Sequence, residues 1–136
     1  MLAFRTRLIN LFTPVLHTSL GKKLIVWIFL HMNFVLPIDR LFETETLIAF
    51  FHPQPAYSFH VLLIPRIDIP DLLSLDDQQP VFLQDVFKTA QQIVKDYHLE
   101  QHGYRLILNG GPNQEFPILH FHLIADINPK TTKVLE

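Results

Sequence analysis

The chain has 136 residues, enough for one domain with a sizeable core. Hydrophobic residues make up 49% and charged residues 18%, which excludes a disordered polar tail as the main state. A formal net charge of −2 gives no global attraction to nucleic acid, and the lack of cysteine removes disulfides, thiolate metal sites and cysteine nucleophiles together.

Residues 1–38 differ in character from the rest: they hold Arg5, Arg7, Lys22 and Lys23 and no acidic residue before Asp39. Met1 to Asn10 has the pattern of a short amphipathic turn, interrupted at Pro14. After Thr18-Ser19, which can cap a helix, the apolar run Leu24 to Leu36 predicts a helix of about four turns, stopped by Pro37. With His31 and Asn33 inside it, this run falls short of the roughly 20 apolar residues that span a bilayer. Leu36-Pro37-Ile38-Asp39 is also a poor cleavage site for a secretory signal. Three readings stay open for this arm: a helix packed on its own domain or on a dimer partner, an interfacial membrane anchor with Trp27 and the lysines at the water boundary, or a targeting segment.

The body is read as a second unit, residues 39–136, with a loose polar tail from about residue 128. Asp39 to Glu45 reads as a polar connection, followed by a strand at residues 46–51. His52-Pro53-Gln54-Pro55 must turn, because its prolines fix φ and lack ladder donors. Ser58 to Ile64 is a strand that sets His60, Leu62 and Ile64 on one face. A single helical turn fits Asp71 to Leu75. Asp76-Asp77 and Pro80 then announce the main helix, whose apolar stripe is Leu83, Val86, Phe87, Ala90, Ile93, Val94 and Tyr97. His98 and His102 close it before Gly103, read as an exposed helix end in preference to a metal pair. Leu106-Ile107-Leu108-Asn109 is a strand, and Gly110-Gly111-Pro112 a turn.

Phe116 to Asp126 alternates as one strand, with Ile118, His120 and His122 on one face and Leu119, Phe121 and Leu123 on the other. Imidazoles on an apolar strand lose hydration and must find partners. They are read as a site in preference to satisfied core histidines. Strands and helices in this order give an α+β domain, an antiparallel sheet of about five strands with helices packed on it.

Taken in order, Phe42-Glu43, Ala49-Phe50, Pro53-Gln54, His60…Pro65, Asn109-Gly110, Gln114 and Ile118-Leu119-His120-Phe121-His122-Leu123-Ile124 resemble the histidine triad (HIT) superfamily of nucleotide hydrolases and transferases. The resemblance covers about residues 40–126 and leaves the arm outside. It departs at Ile118, where the family carries the first triad histidine, and at His52, where many relatives carry an acidic or amide residue that holds the ribose.

The resemblance implies a HIT-like fold with an N-terminal helical extension, and a hydrolase or nucleotidyltransferase acting on the α-phosphate of a nucleoside phosphoramidate or (di)nucleoside polyphosphate. His120 would be the nucleophile, forming a covalent nucleotidyl-histidine, with its orienting acceptor the backbone carbonyl of Ile118. His122 and His60 would donate to the phosphate or leaving group. Asn109, His52 and Gln114 would hold the nucleotide, with Ile118 bordering the pocket. No cofactor or resident metal is expected, the substrate is a purine nucleotide, and a cytoplasmic homodimer is implied. Peripheral membrane contact through the arm is the alternative location, and no nucleic-acid partner is expected. A binding protein that has lost turnover, and a metal site built from His60, His120 and His122, remain as other readings.

Overall fold

A computed structural model describes residue 14, residues 17–77 and residues 79–132. Met1 to Asn10, expected to hold an amphipathic turn, and residues 133–136 of the expected tail lie outside the described residues.

Helix α1, Ser19–Met32, begins where the Thr18 hydroxyl accepts a hydrogen bond from the Gly21 amide at 3.0 Å. A 3₁₀ turn at Asn33–Val35 ends it just before Pro37. Strands β1 (Asp39–Glu43), β2 (Leu47–Phe51) and β3 (Phe59–Pro65) follow. Then come a 3₁₀ turn at Leu72–Ser74, helix α2 (Pro80–Asp96) and the short helix α3 (Leu99–His102). Strand β4 (Arg105–Leu108), a 3₁₀ turn at Gly111–Asn113, strand β5 (Phe121–Ala125) and the single turn α4 (Pro129–Thr132) complete the order. The five strands form one antiparallel sheet in the order β1-β2-β3-β5-β4. The expected α+β architecture is therefore present.

Strand alternation sorts the sheet into two faces. Leu47, Ala49, Phe59, Val61, Leu63, Phe121, Leu123 and Ala125 meet Phe82, Val86, Ala90, Ile93 and Tyr97 of the α2 region in the main core. On the opposite face, Ile48, Phe50, Leu62, Ile64 and Ile118 meet Val26 and Phe29 of α1. The Phe29 and Phe50 rings lie 6.0 Å apart. Strand β3, in the middle, is buried along its whole length.

Several local expectations are corrected. Asp39–Glu43 is an edge strand, despite its charged ends, because it pairs with β2 across a bulge between Arg40 and Phe42. The ladder of the last strand covers only Phe121–Ala125; Ile118 and His120 precede it, although their alternation between faces persists. The α2 N-cap is Gln79, without a side-chain cap bond, so Asp76 and Asp77 do not cap it. Its buried stripe runs through Phe82, Val86, Thr89, Ala90 and Ile93, one residue out of phase with the expected one at its start. Phe87 faces outward as a result. His98 adopts a left-handed conformation, φ 53, which breaks the helix ahead of α3.

One polar tie joins the layers. Asp85 of α2 accepts hydrogen bonds from the hydroxyls of Thr44, at 3.0 Å, and Thr46, at 2.5 Å, in the β1–β2 turn. Hydrogen bonds to a charged acceptor contribute about 1.5–3 kcal/mol when half-buried, so Asp85→Ala is expected to lower stability by about 1–3 kcal/mol in urea unfolding. Asp77→Ala, at the cap position the helix does not use, should change it by less than about 0.5 kcal/mol.

Candidate functional site

Four imidazoles meet on the α1 side of the sheet, beyond the end that α1 covers. In the β3–β5 register Leu62 pairs with His122 and His60 with Ile124, so His60 and His122 are diagonal neighbours. His52 follows β2 and lies opposite His60, bonded through its backbone amide to the His60 carbonyl at 2.8 Å. The ring centroids of His52 and His60 are 4.4 Å apart, those of His60 and His122 5.2 Å, and those of His120 and His122 4.8 Å. Tyr57, which the sequence reading passed over, sets its ring edge-on to His60 at 5.6 Å. Its place in the Pro-rich turn, three residues before His60, is the signal that was available.

Backbone groups determine which nitrogen of each ring carries the proton. The Ala56 amide donates to His60 Nδ1 at 3.2 Å, so the His60 proton resides on Nε2. That Nε2–H donates to His122 Nδ1 at 2.9 Å. His122 therefore carries its own proton on Nε2, which is buried and has no hydrogen-bond partner among the described residues. The Gln54 amide donates to His52 Nδ1 at 3.0 Å, leaving the His52 proton on Nε2 as well. His120 is held the opposite way: its Nδ1–H donates to the Ile118 carbonyl at 2.8 Å, and its Nε2 keeps a lone pair.

Gln114 supports that carbonyl. Its side-chain amide donates to the carbonyls of Pro70 (2.6 Å), Phe116 (2.7 Å) and Ile118 (3.2 Å). An amide with two hydrogens thus serves three acceptors, and it ties the turn before β5 to the chain after β3. Gly111 in that turn has φ 56, a left-handed conformation that a side chain would strain. The Ile118 side chain lies on the same face of the sheet as Leu62, which pairs with His122. It is 3% exposed and packs among Val26, Phe29, Phe50 and Leu62. Asn109 follows β4, and the β4–β5 register extended by one pair sets it beside His120. His98 is the N-cap residue of α3 and His102 its last residue. Among the described residues no three His, Asp or Glu side chains are grouped to hold a metal ion.

Residues 33–128 match the HIT domain family. The chain belongs to that family. An uncharacterized HIT-like protein of Synechococcus elongatus is 30% identical over 92 residues, covering 66% of this chain and 80% of that one. A HIT family hydrolase from Clostridium thermocellum has 31% identity and a TM-score of 0.67, with 75% of this chain and 90% of that chain covered. The histidine triad nucleotide-binding protein from Candida albicans has 25% identity and a TM-score of 0.65, with coverage of 82% and 80%. The HIT match includes β1 through β5 and stops short of α1.

Burial depresses the basicity of three rings of this HIT site. His52, His60 and His122 are each held down to about 4: desolvation is the main cause, followed by the electrostatic effect of neighbouring imidazoles. Below their ordinary value of 6.5 the unfolded chain binds protons that the folded chain refuses, so stability rises with pH from about 4 to 6.5 and levels off above. The thermal midpoint is expected to fall steadily as pH is lowered through that window. His52→Asn, which keeps an acceptor for the Gln54 amide but cannot titrate, should flatten the slope. An unchanged slope would place the acid sensitivity elsewhere.

Proposed function

We propose that this HIT-family chain is a nucleotide hydrolase or nucleotidyltransferase acting on the α-phosphate of a nucleoside phosphoramidate or (di)nucleoside polyphosphate, with His120 as the covalent nucleophile. The observation that carries the reading is the His120 Nδ1–H bond to the Ile118 carbonyl, which leaves the Nε2 lone pair free for phosphorus. In the first step that lone pair attacks, an N–P bond forms, and the bond from phosphorus to the leaving group breaks. His122 Nε2–H, a buried donor with no partner among the described residues, donates a hydrogen bond to a phosphate oxygen, and the leaving group takes its proton from water. The imidazolium formed at His120 keeps its Nδ1–H on the Ile118 carbonyl, whose partial negative charge stabilises it in a dry site. Water, or another acceptor, then attacks phosphorus and its proton passes to solvent. The N–P bond breaks and His120 is restored.

His60 acts through His122, since its only ring proton is already donated there, and is a positioning residue. Likewise, Gln114 acts through the Ile118 carbonyl. His52, with its proton on Nε2, would bond the ribose hydroxyls of a purine nucleotide, and Asn109 would help fix it. On this reading Ile118 stands in for the first triad histidine and supplies its backbone acceptor, while its side chain serves the core under α1. The homodimer expectation rests on family resemblance alone.

Turnover followed by phosphorus NMR on adenosine and guanosine phosphoramidates and dinucleoside polyphosphates tests this. His120→Ala is expected to lower the rate by at least about 10²–10⁴-fold, the range for losing one positioned proton-transfer group, and to abolish a trapped nucleotidyl adduct. Ile118→His should raise the rate by no more than about tenfold, because the lost side-chain hydrogen bond is a matter of about 0.5–1.5 kcal/mol. A wild-type chain that binds nucleotide but is inert, and becomes competent through Ile118→His, would establish a binding protein instead.

A further inference from the structure

The sequence of α1 is apolar around most of its circumference, yet only one side of the helix meets the sheet. At about 100° per residue, Leu20, Leu24, Trp27 and His31 fall on one stripe, opposite Val26 and Phe29. Leu20 is 79% exposed, Leu24 51% and Trp27 50%. The Trp27 ring stacks on the His31 imidazole with centroids 4.8 Å apart. The same surface continues past the helix into Phe34 and Val35, which are 75% and 53% exposed. Five large apolar side chains thus line one outward patch that begins at Leu20 and ends at Val35.

Charge distinguishes among the occupants that could cover this patch: a second copy, residues 1–16 of the same chain, or a lipid surface. Residues 1–38 carry Arg5, Arg7, Lys22 and Lys23 with no acidic group, whereas residues 39–136 hold seven Lys and Arg against thirteen Asp and Glu. All the cationic excess of an acidic protein is therefore gathered on the segment that bears the exposed apolar stripe. A twofold contact through α1 would bring two such cationic arms together, like against like. An anionic lipid surface satisfies both features at once, because headgroup phosphates take the cations and the acyl boundary takes the apolar stripe.

We propose that the outer face of α1, with Phe34 and Val35, docks on an anionic phospholipid membrane as an interfacial helix. Trp27 and His31 lie at headgroup depth, where an amphipathic aromatic ring has one apolar and one wet side. Lys23, exposed at the edge of the stripe, meets phosphate, whereas Lys22 is drawn inward over the Phe116 ring, 5.7 Å from its centroid. The contact is peripheral: α1 has 14 residues, and among the described residues no helix is long and apolar enough to cross a membrane. The inner side of the docked helix stays on Phe50, Leu62 and Ile118, so docking leaves the sheet covered. This inference is independent of the nucleotide chemistry.

Trp27 is the sole tryptophan of the chain and therefore reports on the surface directly. The full chain would be mixed at low salt with vesicles of phosphatidylcholine alone, and of phosphatidylcholine with phosphatidylglycerol. Co-sedimentation and a blue-shifted Trp27 emission are expected with the phosphatidylglycerol vesicles only, both weakening as salt is added. The double variant Leu20→Gln/Leu24→Gln alters only exposed positions, should keep the wild-type circular dichroism, and should lose at least about tenfold in vesicle partitioning. The proposal is overturned by lack of binding to anionic vesicles at low salt, by equal binding to both vesicle types, or by undiminished binding of the double variant. It is also overturned if Trp27 is already blue-shifted and shielded from acrylamide without vesicles: a shift that depends on protein concentration assigns the face to a second copy, and one that does not assigns it to residues 1–16.

Discussion

Strand β3 is buried on both faces from Phe59 to Pro65, and the rest of the molecule follows from that constraint. An antiparallel sheet can leave one face to water, but only if that face is polar. Here β3 presents Phe59, Val61 and Leu63 to α2, and His60, Leu62 and Ile64 to the other side. The second side is covered unevenly. Val26 and Phe29 of α1 close the end holding Ile48 and Ile64, while imidazoles fill the end holding His60 and His122. The boundary between structural core and candidate site is therefore the point where a helix stops and aromatic nitrogen begins.

Desolvation then imposes order on those rings. An unpaired nitrogen on a buried imidazole is costly, and the nearest partners are backbone groups that are already fixed. The Ala56 and Gln54 amides and the Ile118 carbonyl play that part. Two amides push protons outward along His52 and His60–His122, and one carbonyl pulls the His120 proton inward. The result is a lone pair on His120 beside a donor on His122, established without any charged residue in the cluster. Charge is instead concentrated elsewhere, in exposed pairs such as Arg66 with Glu43.

Much of this was legible in the residues. Alternation at Ser58–Ile64 and Phe116–Asp126 assigned the faces, and the family resemblance implied that His60, Asn109, His120 and His122 converge. What stayed hidden depended on contacts across long separations. Asp39–Glu43 reads as a connection because its strand character comes from pairing with β2 and not from its own pattern. The phase of α2 was misjudged at its start because Phe82 and Leu83 are equally apolar, and only the sheet beneath selects between them. The burial of Ile118 against Val26 and Phe29 depends on α1, a helix outside the family resemblance. The roles of Gln114 and Ala56 rest on main-chain geometry, which leaves no trace in side-chain chemistry.

The Gln114 clamp has a dynamic consequence. The same side chain that staples the turn before β5 to Pro70 also shares the Ile118 carbonyl with His120. Local opening of that turn and release of the His120 ring are therefore coupled events, since both free the one carbonyl that selects its tautomer. While the turn is closed, the lone pair stays on Nε2; once it opens, the proton redistributes between the two nitrogens and the ring can rotate. The tautomer of His120 is thus a population, governed by the opening free energy of a loop that lies outside the imidazole cluster. Amide hydrogen exchange in residues 110–117 would measure how often that turn opens.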